Sequence, residues 1–176
     1  DDSGGWPGRA DGLGSTLELI DPAGDLSNDD SWRPSARYHG TPGAAAWEGV
    51  VDIVVNEVLA LPAAGGVDAI ELYNRTTGAI DISGWLLSDT NADYTRFVIP
   101  QNTVVPANGY VVFDETQFSP GGGSLPTDFS LSGSGDDVWL LESDAAGQPY
   151  RFVDHVEFGP TMRGVSQGRW PNGGGD

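Results

Sequence analysis

From Ile53 to Phe113 the chain is cut by turn residues into short runs: Ile53-Val-Val-Asn-Glu57, Asp68-Ala-Ile-Glu-Leu-Tyr-Asn74, Ile80-Asp-Ile-Ser-Gly-Trp85 and Gly109-Tyr-Val-Val-Phe113. β-Branched and aromatic residues are prominent in these runs, and helical periodicity is nowhere sustained. The 26 glycines and 12 prolines account for the spacing, since both residues serve turns and both weaken helices. The one ambiguous apolar stretch, Val54 to Leu61, is rich in β-branched residues and is closed by Pro62, which favours a strand. Apolar residues patterned in this way must be buried between layers of strands.

The same rhythm runs on to Gly159 through Arg96-Phe-Val-Ile99, Thr103-Val-Val105, Phe129-Ser-Leu131, Val138-Trp-Leu-Leu-Glu142 and Tyr150-Arg-Phe-Val-Asp-His-Val-Glu-Phe158. In the last run the alternation holds only in part, so the pattern does not fix its buried face. The sum, about eight or nine strands, predicts an all-β fold, an immunoglobulin-like sandwich. Its expected core is Ile53, Ile70, Leu72, Trp85, Val112 and Trp139, with Ser83-Gly-Trp85 turning the chain so that the indole enters between the sheets. Asn56 and Glu57 interrupt an apolar strand, and partial burial with hydrogen bonds from the 70–74 strand is expected for both.

The first 46 residues read differently. They form a leading junction segment with one strand over 16–20, where Leu17 and Leu19 face one way and Glu18 the other, and they end in the linker Gly40-Thr-Pro-Gly-Ala-Ala-Ala46. The sandwich is expected over 47–160 and a trailing linker over 161–176. Strand 16–20 should add to an edge of its own sandwich or of a neighbour's, satisfying unpaired backbone groups. Gly4-Gly-Trp-Pro-Gly8 is echoed by Gly168-Arg-Trp-Pro-Asn172; either tandem modules in a longer parent or chance in a Gly/Pro-rich chain produces this.

Taken together, Val54-Val-Asn-Glu-Val58, Ile70-Glu-Leu-Tyr-Asn74 with Ile82-Ser-Gly-Trp85, and Val105-Pro-Ala-Asn-Gly-Tyr-Val111 resemble the bacterial lamin tail domain over roughly Val50 to Phe158. The stretch from Leu17-Glu-Leu-Ile-Asp-Pro22 through Trp32-Arg-Pro34 to Gly40-Thr-Pro-Gly43 is similar to the linker that accompanies such modules in large surface or secreted proteins. The resemblance implies an immunoglobulin-like fold and a noncatalytic adhesion or scaffolding role. It also implies an extracellular or cell-surface setting, while protein or glycan ligands and contact with neighbouring modules of the parent chain are expectations from the loop tryptophans and the leading segment.

Charge narrows the partners independently. With 26 acidic residues against 8 basic ones, no lysine and a net charge of -18, the surface repels nucleic acid and anionic membrane and suits cations or cationic partners. High charge of one sign also keeps a protein soluble and apart from its copies. No apolar run reaches the length of a membrane helix. The chain has no cysteine, hence no disulfide, no thiolate metal site and no cysteine nucleophile.

Two strings imitate serine hydrolases. Asp2-Ser-Gly-Gly5 has no histidine and aspartate before it, and Gly164-Val-Ser-Gln-Gly168 is followed by Trp170-Pro171, with neither a helix nor a histidine downstream. With His39 and His155 as the whole histidine complement, a three-histidine zinc site is excluded. His155, within a strand, reads as a hydrogen-bonded structural residue. The sequence nominates no catalytic residue.

Binding candidates are of two kinds. Asp89, Asn91 and Asp93 set oxygen ligands at alternate positions as calcium loops do, yet Tyr94 stands where that loop needs glycine and Pro100 where it needs glutamate. A hairpin tip uses the same residues. Asp21, Asp25, Asn28, Asp29 and Asp30 form a second acidic group, and Asp136, Asp137 and Glu142 a third. Trp6, Trp32 and Trp170 sit beside Gly, Pro or Arg, and Trp47 lies two residues before Gly49; in loops these four either stack on sugar rings or Pro-rich peptides or pin the flanking segments to the sandwich. A glycan-binding module and a calcium-stabilised linker are thus the alternatives to a protein-binding scaffold. Asn74-Arg-Thr76 fits a glycosylation acceptor.

Overall fold

A computed structural model describes residues 6–44 and 52–174. Trp47, the boundary expected beside it and the Asp2-Ser-Gly-Gly5 string lie outside the described residues.

The first apolar run forms β3 (Ile53–Leu59), and it pairs antiparallel with β4 (Ala69–Asn74), which in turn pairs with β9 (Tyr110–Asp114). With β12 (Gln167–Gly168) on the far side of β3, these make one sheet, ordered β12-β3-β4-β9. The second sheet is ordered β11-β10-β6-β7, from β11 (Pro149–Phe158), β10 (Asp136–Ser143), β6 (Leu86–Ser88) and β7 (Phe97–Val98). A two-stranded ribbon, β5 (Ile80–Asp81) with β8 (Val104–Val105), closes one end. Ile53, Val55, Ile70 and Leu72 from the first sheet meet Leu87, Val138, Leu140 and Val153 from the second in one core. Fully burying each such aliphatic chain stabilises the fold by about 1.5–3 kcal/mol. The all-β sandwich is therefore as expected, and its particulars differ in four places.

Ile80 to Trp85 is not one strand. Gly84 takes a left-handed φ of 79°, the chain turns there, and Leu86 and Leu87 enter the interior fully while Trp85 packs half-buried at the margin. Val112 is 51% exposed because β9 presents Val111 and Phe113 inward, the opposite parity to the one expected. Phe129 and Leu131 are buried as expected of a strand, but they lie in a loop. Asp68 Oδ2 accepts from Leu131 N at 2.8 Å, and Phe129 stacks on Phe118 at 4.4 Å. Phe118 ends a four-residue helix, α1 (Glu115–Phe118), whose capping box pairs Asp114 with Gln117.

The fourth difference concerns the outer face of the second sheet. Trp139 and Leu141 alternate with Val138 and Leu140, so they point away from the main core, and with Leu86, Tyr94 and Phe152 they form a second buried cluster. The leading segment covers it. Leu13 and Tyr38 pack against the cluster, Tyr94 Oη donates to Leu13 O at 2.9 Å, and the Arg9 guanidinium lies 4.6 Å over the Phe152 ring. Burial lowers the Arg9 pKa. The strand expected over 16–20 is β1 (Leu17–Leu19), and it joins neither sheet; it pairs with β2 (Trp32–Pro34). The contact with a sandwich edge is made further along, where Arg37 bridges Arg151.

Candidate functional site

Two β-bulges, one on β3 and one on β11, face one another where the two sheets meet. On β3 the register skips Asn56, which is buried, while Glu57 beside it is exposed, contrary to the partial burial expected of it. On β11 the register skips Val153, so that Asp154 stands opposite the inward-facing Leu140 instead of sharing the outer face with Phe152. That bulge explains the imperfect alternation of the run. It also turns the Asp154 carboxylate toward the first sheet, where Oδ2 accepts from Val55 N at 2.8 Å.

Arg169 occupies the gap between the bulges. Its Nη2 reaches both Asp154 oxygens at 3.0 and 3.1 Å, its Nε donates to Val55 O at 2.9 Å, and its backbone N donates to Asn56 O at 2.8 Å. Burial pushes the Asp154 pKa up, and the Arg169 charge pulls it back. Asn56 is satisfied on both sides of its amide: Nδ2 donates to Glu71 Oε1 and Oδ1 accepts from Gly173 N, each at 2.8 Å. The trailing stretch expected as a linker is therefore built into the sandwich. β12 extends the first sheet at Glu57 and Val58, and the chain then crosses that sheet's outer face, with Gly173 against Tyr73 and Asn172 Nδ2 donating to Tyr110 Oη.

This strap presents Trp170. Its side chain is 90% exposed, beside a groove of about 290 Å³ between β3 and β12 on one wall and β11 on the other. Glu57 and Glu157, both exposed, line the groove along with His155 and Gln167. His155 is engaged structurally: its ring stacks on Trp139 at 3.6 Å and Nε2 lies 2.6 Å from Asp137 Oδ1.

The other predicted residues separate. Trp6 and Trp32 come together at 6.1 Å, tilted by 50° and half-buried, so they form no shared flat platform, and Trp32 Nε1 donates to Leu26 O. Asp89 and Asp93 turn to protein partners: Asp89 Oδ1 takes Arg96 Nη1 at 2.8 Å, and Asp93 Oδ1 takes Thr95 N and Oγ1. Asn91 is exposed. Asp21 and Asp25 close turns through Ala23 and Ser27, Asn28 accepts from Asp30 N, and the third acidic group is spent on Ser132, His155 and Arg151. Among the described residues no group of three histidine, aspartate or glutamate side chains is disposed to hold a metal ion. Asn74 is fully buried with Nδ2 donating to the carbonyls of Gly78, Val105 and Pro106, so its amide is closed to glycosylation in the folded chain. Ser166 of the G-x-S-x-G string is exposed and is followed by strand β12.

Trp170 is one of the loop tryptophans that the sequence nominates, and the residues that position it are not nominated there. Asp154 and Asn56, polar residues inside apolar strands, were the available signal, together with an arginine directly before the tryptophan in a chain of 8 basic residues.

The family model described as Lamin Tail Domain matches residues 48–159, more than half of the 176 residues. The chain belongs to the lamin tail domain family, whose fold is immunoglobulin-like. No curated protein matches it.

Proposed function

We propose that this lamin tail domain is a noncatalytic protein-binding or scaffolding module of a larger exported bacterial protein, and that the Trp170 groove is its binding face. The observation that carries the reading is the 90% exposed indole held on an anchored strap. An indole of about 200 Å² left in water is costly, and covering it releases roughly 3–5 kcal/mol before ordering costs are subtracted. Arg169 and Asn56 hold the residues on either side of Trp170, so little further freedom is lost when a partner arrives. The acidic rim and the family's immunoglobulin-like fold agree with a ligand-holding role and nominate no reacting group.

The same indole, with Glu57 and Glu157 to accept from hydroxyls, also suits a sugar ring, and glycan binding is the second reading. A displayed peptide library and a panel of soluble oligosaccharides, each bound to the full chain and to Trp170→Ala, separate the two. Peptides that bind the native chain and lose the variant are expected. Oligosaccharides behaving so while peptides do not would establish the second reading, and ligands indifferent to Trp170 would remove the groove from both.

A further inference from the structure

Strand β11 ends its sheet, and among the described residues only the first half of its outer edge is paired. Near its start, Tyr38 N donates to Tyr150 O at 3.0 Å and Phe152 N to Ala36 O at 2.8 Å, so this edge already accepts a short antiparallel segment of the leading chain. Past the bulge at Val153, no described strand lies beyond His155 to Phe158, and these residues form one wall of the Trp170 groove. An uncovered edge is a template for another strand.

What can use that template is set by charge. Arg169, the arginine in the groove wall, is already bound to Asp154 and to the Val55 carbonyl, so among the described residues Glu57 and Glu157 of the groove have no ion-pair partner. A second copy of a chain with net charge -18 is repelled, which protects the edge from self-pairing. A basic segment is attracted. Alternate side chains of an added strand fall on one side at a repeat of about 7 Å, so one cation can lie over the Trp170 indole while the next meets a carboxylate.

We infer that the groove takes an extended, arginine- or lysine-bearing segment of a partner protein, added as a strand along His155 to Phe158. This rests on the protein-binding reading above and specifies its ligand. Backbone hydrogen bonds from β11 supply affinity, and Glu57, Glu157 and Trp170 select basic side chains.

The test uses the ¹⁵N-labelled full chain and three blocked synthetic peptides: alternating arginine and valine, alternating glutamate and valine, and the arginine peptide N-methylated at every second residue. The basic peptide should shift the amides of His155 to Phe158 and slow their hydrogen exchange. Rising salt should weaken it steeply. Trp170→Ala, the paired Glu57→Gln and Glu157→Gln changes, and N-methylation should each weaken binding by about tenfold or more. Equal binding of the acidic peptide, no binding of the basic one, or shifts spread over the surface would overturn the inference. A Trp170-dependent ligand that tolerates N-methylation would sink the added strand and leave the protein-binding reading standing. Failure of every peptide in the library to engage the groove would sink both.

Discussion

On one outer face of the sandwich, Leu86, Leu141 and Phe152 are covered by Leu13, Tyr38 and the Arg9 guanidinium of the leading segment; on the other, Tyr73 lies under a strap fixed by Arg169 and Gly173. The first cover works by apolar burial, spread over many contacts, and it leaves its tryptophans, Trp6 and Trp32, half-buried. The second works by a few directed hydrogen bonds to two bulges, and it leaves Trp170 in water. A cover made of burial closes a face. A cover made of hydrogen bonds can close one face and still present a side chain beside it.

The largest effect expected from breaking this contrast comes from deleting residues 1–44. The second cluster would be uncovered across a whole sheet face, so the shortened chain should associate and lose heat resistance, read by light scattering and calorimetry. A monomer as stable as the parent would mean that the leading segment is not a structural cover. Arg169→Ala should follow, costing about 3–5 kcal/mol in denaturant unfolding, because Asp154 would keep a largely buried charge with no cation beside it. If the strap matters less than the cap that the leading segment forms, the loss would stay below that of Phe152→Ala, for which about 3–5 kcal/mol is also expected.

A smaller change sharpens the strap alone. Gly173 has a φ of 68°, and an added Cβ would fall 2.8 Å from the Tyr73 ring, so Gly173→Ala should cost about 2 kcal/mol and should not move the cap. Exchange protection lost at Gly173 N, the donor to Asn56 Oδ1, but kept at Phe152 N is the expected pattern.

The smallest effect is tied to pH and lies away from both covers. Asp68 is buried, and burial raises its pKa to about 6, with Glu115 and Asp136 adding to the rise. Its folded pKa exceeds the unfolded one, so the folded state holds the proton more tightly. Its contribution is therefore complete below about pH 4 and lost as pH rises through about 6. Asp68→Asn keeps an oxygen for Leu131 N and removes the titration. It should be more stable than the parent at neutral pH and show a flatter pH profile between those limits, by urea unfolding.

What the sequence disclosed follows from how local each feature is. Strand positions and the sandwich were legible because β-branched runs and turn residues act within a few positions, as at Ile53 to Leu59 and Ala69 to Asn74. Register is not, since a shift of one residue reverses every side chain; Val112, expected inward, faces outward for that reason, and the Val153 bulge hides the direction of Asp154. The short α1 has too few residues to show helical periodicity, although Asp114 and Gln117 carry its capping signature. Trp139 is buried as expected but on the far face and not in the main core, because burial there depends on the leading segment, more than a hundred positions away in sequence. Trp170 was legible as a loop tryptophan, but its separation from Trp6 and Trp32 required the strap to be traced to Asp154 and Asn56.

The proposed ligand binding belongs to the strap and not to the cap. Fluorine NMR of the full chain with fluorinated tryptophan gives a separate signal for each of its 6 indoles, assigned by single replacements. Titration with the alternating arginine–valine peptide should move the Trp170 signal and leave those of Trp6 and Trp32 in place. Movement of the Trp6 and Trp32 signals with Trp170 unchanged would contradict the account.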